Sequence, residues 1–469
     1  MTKAVVTLDD KYVQPSGRVF MNANQALVRL PLDQARRDRA NGLKTAGYIS
    51  GYRGSPLGVY DSALWGAQKL LDQHNVVFRP GLNEELAISA IRGTQELKWF
   101  GNSEFEGVFG LWYGKGIGVD RACESMKLGN LEGASAAGGF LIVAGDDHGG
   151  KSSDSAHQSE NTLMAALVPI LYPATIGEII EFGLFGWAMS RFSGCYVGLK
   201  TITDTLDLTA CVELPDPFRS YVTPTDVIIP PQGLNLRPNL PPLVEEEWLV
   251  NYRLPAATAF ARANGIDRII LDSELRNLSI VTAGKAYLDV RQALADLGLD
   301  EARCHQLGIR LYKPGLIWPM DKVGLNHFAQ GSRAVLVVEE KRSVMEEQIA
   351  RHLYGVAAEL RPALTGKEDL RGEALLPSVG ELTVGKVRHA IKILLDQLGI
   401  ADAQAIARAA DYDELERRSP TLGSNVNRPA YFCSGCPHNT STKMPEGSRA
   451  MGGIGCHGLA AVVMERDTM

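Results

Sequence analysis

Val76-Val77-Phe78-Arg79-Pro80-Gly81-Leu82-Asn83-Glu84-Glu85-Leu86-Ala87 holds the fold in miniature. A short apolar run reads as a strand, Pro80-Gly81 marks a turn, and Asn83 reads as a helix N-cap followed by two acids in the first turn. Taken alone, Glu84 and Glu85 need do no more than complement the helix dipole. The same unit recurs on both sides. Thr45-Ala46-Gly47-Tyr48-Ile49 reads as a buried strand and runs into Ser50-Gly51-Tyr52-Arg53-Gly54-Ser55-Pro56, then a helix around 63–71. Gly107-Val108-Phe109-Gly110-Leu111-Trp112-Tyr113 leads into a Gly114-Lys115-Gly116-Ile117-Gly118 loop and a helix from Asp120. Gly139–Ala144 is a further strand, 176–191 a helix and 195–203 another strand. Apolar strands alternating with helices predict a parallel sheet covered on both faces, with ligands at the loops beyond the strands' C-terminal ends. Those loops carry Arg53, Ser55, Lys115 and Asp146.

Working outward, residues 1–20 read as an extended arm, and Asn22 to Ala40 as a helix ended by Gly42. The first α/β domain is expected over 20–215. Prolines are dense from Leu214 to Pro242, and an interdomain linker is expected over 216–274. A smaller α/β domain follows at 275–365, with strands at 278–284 and 334–338 and helices at 286–297 and 345–354. A helical connector is expected over 366–428, and an incomplete third domain over 429–469.

Composition bounds the function. In 469 residues, 45% apolar and 22% charged, two or three soluble domains are expected. A formal charge of −6 gives no basic footprint for nucleic acid. The most apolar segment, 165–189, is broken by Pro169, Pro173, Glu178 and Glu181, so no membrane span is expected. Seven cysteines and no signal peptide point to a reducing cytoplasm.

Two motifs carry chemistry. Gly145-Asp146-Asp147-His148-Gly149-Gly150-Lys151-Ser152 matches the phosphate-loop pattern and keeps a phosphate-loop NTPase as an alternative. Two aspartates inside a phosphate cradle argue against it. Cys433-Ser434-Gly435-Cys436 with Cys456 is the stronger signal. Two thiolates at this spacing can share a metal centre, either an iron–sulfur cluster or, with His438 or His457, zinc. A zinc knuckle there in a non-catalytic partner subunit is the second alternative. His148 and His157 read as solvated loop residues, and Trp112 as a core residue.

In order along the chain, Gly51–Pro56, Asn83–Ala87, Lys115–Gly118, Asp146–His148 with Ser152-Ser153, and Cys433-x2-Cys436-Pro437-His438 with Gly455-Cys456 resemble the indolepyruvate ferredoxin oxidoreductases, a branch of the 2-oxoacid:ferredoxin oxidoreductases with fused chains. The resemblance implies a thiamine diphosphate enzyme: a doubly wound pyrimidine-binding domain at 20–215, a transketolase C-terminal-like domain at 275–365, and the start of a diphosphate-binding domain from 429. It implies that Glu84 bonds the aminopyrimidine ring, that Gly54, Ser55 and Lys115 bind cofactor, and that Arg53 and Ser55 bind the substrate carboxylate. Cys433, Cys436 and Cys456 would ligate a [4Fe-4S] cluster. The implied reaction is oxidative decarboxylation of a 2-oxoacid, such as indolepyruvate, to its acyl-coenzyme A, with electrons passed to ferredoxin. The Gly-Asp-Gly signature that holds Mg²⁺ is not in the sequence. A further C-terminal portion or a partner subunit is therefore expected, in an oligomer, with this chain inactive alone.

Overall fold

The computed structural model describes residues 7–422 apart from Ser152, Asp154, Pro238 and Ala401, and then 431–451 and 456–462. The chain divides into two compact units, 1–409 and 410–469.

The first unit is built on two mainly parallel sheets. Its strands in chain order are β1 (Arg18–Asn22), β2 (Thr45–Gly51), β3 (Val76–Phe78), β4 (Gly107–Lys115), β5 (Phe140–Asp146), β6 (Ile170–Leu171), β7 (Val197–Ile202), β8 (Thr209–Glu213), β9 (Arg268–Leu271), β10 (Leu278–Thr282), β11 (Ile309–Lys313), β12 (Leu316–Trp318), β13 (Ala334–Val338) and β14 (Ala363–Thr365). Seven strands form one sheet in the order β12-β6-β7-β5-β4-β2-β3, parallel except where β12 meets β6. Five form the second, β14-β13-β10-β11-β9, parallel except at β9. β1 and β8 make an antiparallel pair, so the expected N-terminal arm is in part a strand.

Side-chain alternation organises three core layers. On β4, Phe109, Leu111 and Tyr113 face helices Ala23–Ala40 and Ile176–Ser193, while Trp112 points to the opposite layer. On β13, Val335 and Val337 join Trp112's layer, and Ala334, Leu336 and Val338 face the far one. The middle layer therefore belongs to both sheets, and the expected domains at 20–215 and 275–365 share a core.

The doubly wound α/β class holds, with two corrections. The expected linker, 216–274, contains helices Pro242–Trp248 and Leu254–Ala263 and strand β9. Proline density ends at Pro242, and Ala256, Ala257, Phe260 and Ala261 beyond it line a buried helical face. The expected connector, 366–428, carries helix Val384–Gln397, whose Val387, Ala390, Ile391 and Leu394 fill the second sheet's outer core at helical spacing. This helix is therefore a layer of the first unit. Among the described residues no helix is long and apolar enough to cross a membrane.

Candidate functional site

In the seven-stranded sheet β2 connects outward to β3, and the chain then returns to place β4 on the other side of β2. The loops beyond β2 and β4 thus diverge at a topological switch point, where a parallel sheet leaves a crevice at its C-terminal edge. Helix Glu84–Gln95, entered from β3, packs on β4 and β2 and brings Glu84 to that edge. Arg53, Gly54 and Ser55 follow β2, and Lys115 ends β4.

The stretch expected as a loop at 114–118 is the end of strand β4 running straight into helix Gly116–Arg121. Its glycines are seats for side chains. A Cβ on Gly114 would lie 2.5 Å from the Trp112 ring, one on Gly116 2.1 Å from His157 Nδ1, and one on Gly118 2.7 Å from Glu84 Cγ. Across the crevice, a Cβ on Gly54 would lie 2.7 Å from Lys115 Cδ. Glycine at these positions is a condition of close approach. The predicted residues Glu84, Gly54, Ser55, Lys115 and Arg53 are therefore gathered at one edge.

The structure separates the two acids. Asn83 caps the helix by accepting the Leu86 N–H at 2.9 Å, which fixes the first turn. The Glu84 side chain is 9% exposed and Glu85's 46%; both carboxylates lie 3.9 Å from Arg121 Nε. Trp112 Nε1 donates to the Glu84 carbonyl at 3.1 Å, so this indole is both core and positioning contact. Arg53 is exposed and Lys115 half-buried, and among the described residues neither forms an ion pair.

Beside this edge lies a largely buried polar cluster that takes in His148 and His157, both expected from the sequence as solvated loop residues. Asp146 accepts the Ser159 N–H at 2.9 Å and lies 3.7 Å from Lys200, which pairs with Glu160. Burial opposes the Asp146 charge, but His157 and Lys200 outweigh it and hold this carboxyl below its ordinary pKa. His148 is buried with its Nδ1 on the His157 carbonyl at 2.8 Å, and burial pushes its pKa down to about 3. His157 reaches Asp120 Oδ2 with Nε2 at 2.8 Å and faces Asp146 Oδ1 with Nδ1 at 3.6 Å. Burial acts against a charge on His157, yet Asp146 and Asp120 prevail and raise its pKa. Glycines at alternate positions after a strand were the available sign of side chains packed on the backbone there.

The same geometry removes the phosphate-loop alternative. The Glu381 carboxylate lies against Gly149, within 2.7 Å of where a Cβ would be, and pairs with Lys151 at 2.9 Å. Among the described residues no helix begins between β5 and Glu160. A loop with buried Asp146 and Asp147 and a carboxylate packed on it is no anion cradle.

In the second unit, the Cys436 N–H donates to the Cys433 carbonyl at 3.0 Å, so both thiols lie on one turn. Cys433 is exposed, and Cys436 Sγ is 3.2 Å from His438 Nδ1. The His438 ring stacks with those of Phe432 and His457, with centroids 5.4 and 5.8 Å away. The Cys456 side chain lies outside the described residues. Among those described, no group of three or more metal-ligating side chains is assembled.

The chain is similar to known proteins in sequence and in fold. Residues 267–411 match the indolepyruvate ferredoxin oxidoreductase middle domain. The chain is 24% identical over 425 residues to the indolepyruvate oxidoreductase subunit IorA of Methanothermobacter marburgensis, covering 90% of this chain and 59% of that protein. It is 23% identical over 434 residues to the IorA of Pyrococcus abyssi, covering 91% and 59%, and 26% over 368 residues to that of Thermococcus kodakarensis, covering 74% and 51%. The chain thus spans 59% or less of the length of these curated relatives. Among solved structures, a 2-oxoglutarate:ferredoxin oxidoreductase from Magnetococcus marinus, with 2-oxoglutarate, coenzyme A and succinyl-CoA bound, superposes with a TM-score of 0.57. That match is 14% identical and covers 81% of this chain and 66% of that one; it speaks for the fold. The resemblance to the indolepyruvate ferredoxin oxidoreductase family is borne out.

Proposed function

We propose that this chain supplies the aminopyrimidine side of a thiamine diphosphate site in an enzyme that oxidatively decarboxylates a 2-oxoacid of the arylpyruvate class, such as indolepyruvate. The observation that carries the reading is Glu84: a carboxylate removed from water, seated on bare backbone at Gly118, at the switch point of a parallel sheet. A buried carboxylate acceptor fits the N–H of a protonated heterocycle, and low dielectric strengthens that bond. The same residues do not fit the diphosphate end, because no Gly-Asp-Gly signature is present to hold Mg²⁺. The proposal therefore includes a partner chain or further segment for that half.

When bound, thiamine diphosphate supplies the carbon nucleophile and electron sink for decarboxylation. The protein's share is positional. Glu84 holds a proton at a ring nitrogen of the aminopyrimidine, and Trp112 and Gly118 fix where that carboxylate stands. Lys115, folded over Gly54, offers a cation at the crevice floor, and Arg53 a second at its rim. With the Ser55 hydroxyl they suit a 2-oxoacid carboxylate. Cys433, Cys436 and Cys456 are proposed as cluster ligands, with electrons leaving to ferredoxin and the acyl group to coenzyme A. The Cys433–Cys436 turn suits two ligands of one iron–sulfur centre.

The test is 2-oxoacid-dependent ferredoxin reduction by the assembled enzyme, across indolepyruvate, phenylpyruvate, pyruvate and 2-oxoglutarate, with and without thiamine diphosphate and Mg²⁺. The expected result is strict cofactor dependence with arylpyruvates preferred. Reduction that is indifferent to thiamine diphosphate contradicts the proposal.

A further inference from the structure

His157 meets the same short helix as Glu84, from a different side. Gly116–Arg121 presents two stripes. Gly116 and Asp120, four residues apart, face His157. Its Nδ1 would lie 2.1 Å from a Gly116 Cβ, and its Nε2 lies 2.8 Å from Asp120 Oδ2. Gly118 and Arg121, three apart, face Glu84, whose Oε1 would lie 2.8 Å from a Gly118 Cβ and whose Oε2 is 3.9 Å from Arg121 Nε. Residues three and four apart share a side of a helix, so these are neighbouring faces of one rigid turn. Lys115 immediately precedes it.

We infer that His157 is a positioning residue for this site: clamped between Asp120 and Asp146, its imidazole sets where helix Gly116–Arg121 lies and so places Glu84 and Lys115. This rests on the reading of Glu84 and Lys115 as site residues. The protonation state of the ring matters to the clamp. An imidazolium donates from both nitrogens and can serve both carboxylates, whereas the neutral ring donates from one. Loss of the proton therefore loosens one jaw.

The charged groups around the ring come from several elements. Asp120 belongs to the helix itself, Asp146 ends β5 and Asp147 follows it. His148 bonds the His157 carbonyl, and Lys200 and Glu160 stand behind Asp146. Lys341 and Arg342 line the same cavity of about 390 Å³ as His157 and Asp120. The carboxylates are the groups at 2.8 and 3.6 Å from the ring nitrogens, which places the transition above the ordinary histidine value.

Trp112 provides a built-in reporter, since its indole N–H donates to the Glu84 carbonyl. The experiment is a nitrogen-15 NMR titration of the full chain from pH ~5.5 to ~9, following the His157 ring, the Trp112 indole and the Gly118 amide. In the wild type all three are expected to move with one midpoint. In Asp120→Asn the shared midpoint is expected to fall by about one pH unit. In His157→Gln the pH response of both reporters is expected to vanish. Asp120 is half exposed, so its variant keeps the test available should His157→Gln fail to fold. Reporters that stay still while His157 titrates, or that titrate unchanged in His157→Gln, overturn the inference. No readout uses the cofactor. An enzyme indifferent to thiamine diphosphate would sink the functional reading and leave this coupling standing, and the reverse outcome is equally distinct.

Discussion

The two parallel sheets carry the same crevice and use it differently. In the seven-stranded sheet β2 and β4 flank the switch point; in the five-stranded sheet β10 and β13 do, because β11 lies outward of β10 and β13 returns on its other side. At the first, Lys115 and Arg53 have no ion partner among the described residues, and the Glu84 carboxylate is set into the wall. At the second, Lys285 is bound by Asp289 at 2.8 Å, by Glu340 at 3.4 Å and by the Leu382 carbonyl at 2.7 Å. The Tyr172 ring closes that crevice by packing on Gly284, whose φ is +56°. Topology makes a crevice in both sheets. They differ in their lysines: Lys285 is paired with Asp289 and Glu340, and Lys115 has no ion partner among the described residues.

Matched substitutions can break this contrast. The largest effect is expected from the glycines. Gly118→Ala pushes a methyl into Glu84 and should cut turnover of the assembled enzyme about a hundredfold while the chain still folds. Gly284→Ala puts a methyl 2.2 Å from the Tyr172 ring in a left-handed conformation. It should lower stability by about 1–3 kcal/mol, read by chemical denaturation. The lysines come next. Lys285→Met strands Asp289 and Glu340 and is expected to cost about 3 kcal/mol of stability. Lys115→Met should change stability by no more than about 0.5 kcal/mol and raise the KM for the 2-oxoacid about tenfold. Equal stability losses for the two lysines would erase the distinction between the crevices.

Acid sharpens it further. The buried His148 takes its proton near pH 3 when folded and near its ordinary value of 6.5 when unfolded. It therefore contributes stability above pH 6.5 that is lost as the pH falls towards 3. His157 has the opposite sign. Its pKa is raised, so its contribution is complete below 6.5 and lost as pH rises through the higher folded value. His148→Gln should flatten the acid limb of the stability profile, measured by thermal unfolding across pH. Asn83→Ala removes the cap of the Glu84 helix and should cost about 1 kcal/mol of stability.

Much of this was legible in the residues. Strand-turn-helix alternation gave the parallel sheet, and the Asn83 cap and the Glu84 helix stand where the sequence placed them. Strands such as β6, β9 and β12 were not legible, being two to four residues long and defined by partners far along the chain. The helix Val384–Gln397 carried its apolar stripe openly, but which sheet it covers is a tertiary fact. His157 was hidden for a related reason. Its carboxylate partners lie 37 and 11 positions away, and a histidine in a polar run is buried only if the chain folds acids around it.

The central claim is that one of two adjacent acids faces the cofactor, and Glu84→Gln against Glu85→Gln in the assembled enzyme tests it most directly. With thiamine diphosphate, Mg²⁺, coenzyme A and a 2-oxoacid supplied, Glu84→Gln is expected to abolish ferredoxin reduction with an unchanged unfolding transition, and Glu85→Gln to remain close to wild type. Retained turnover in Glu84→Gln, or its loss in Glu85→Gln alone, would contradict the account.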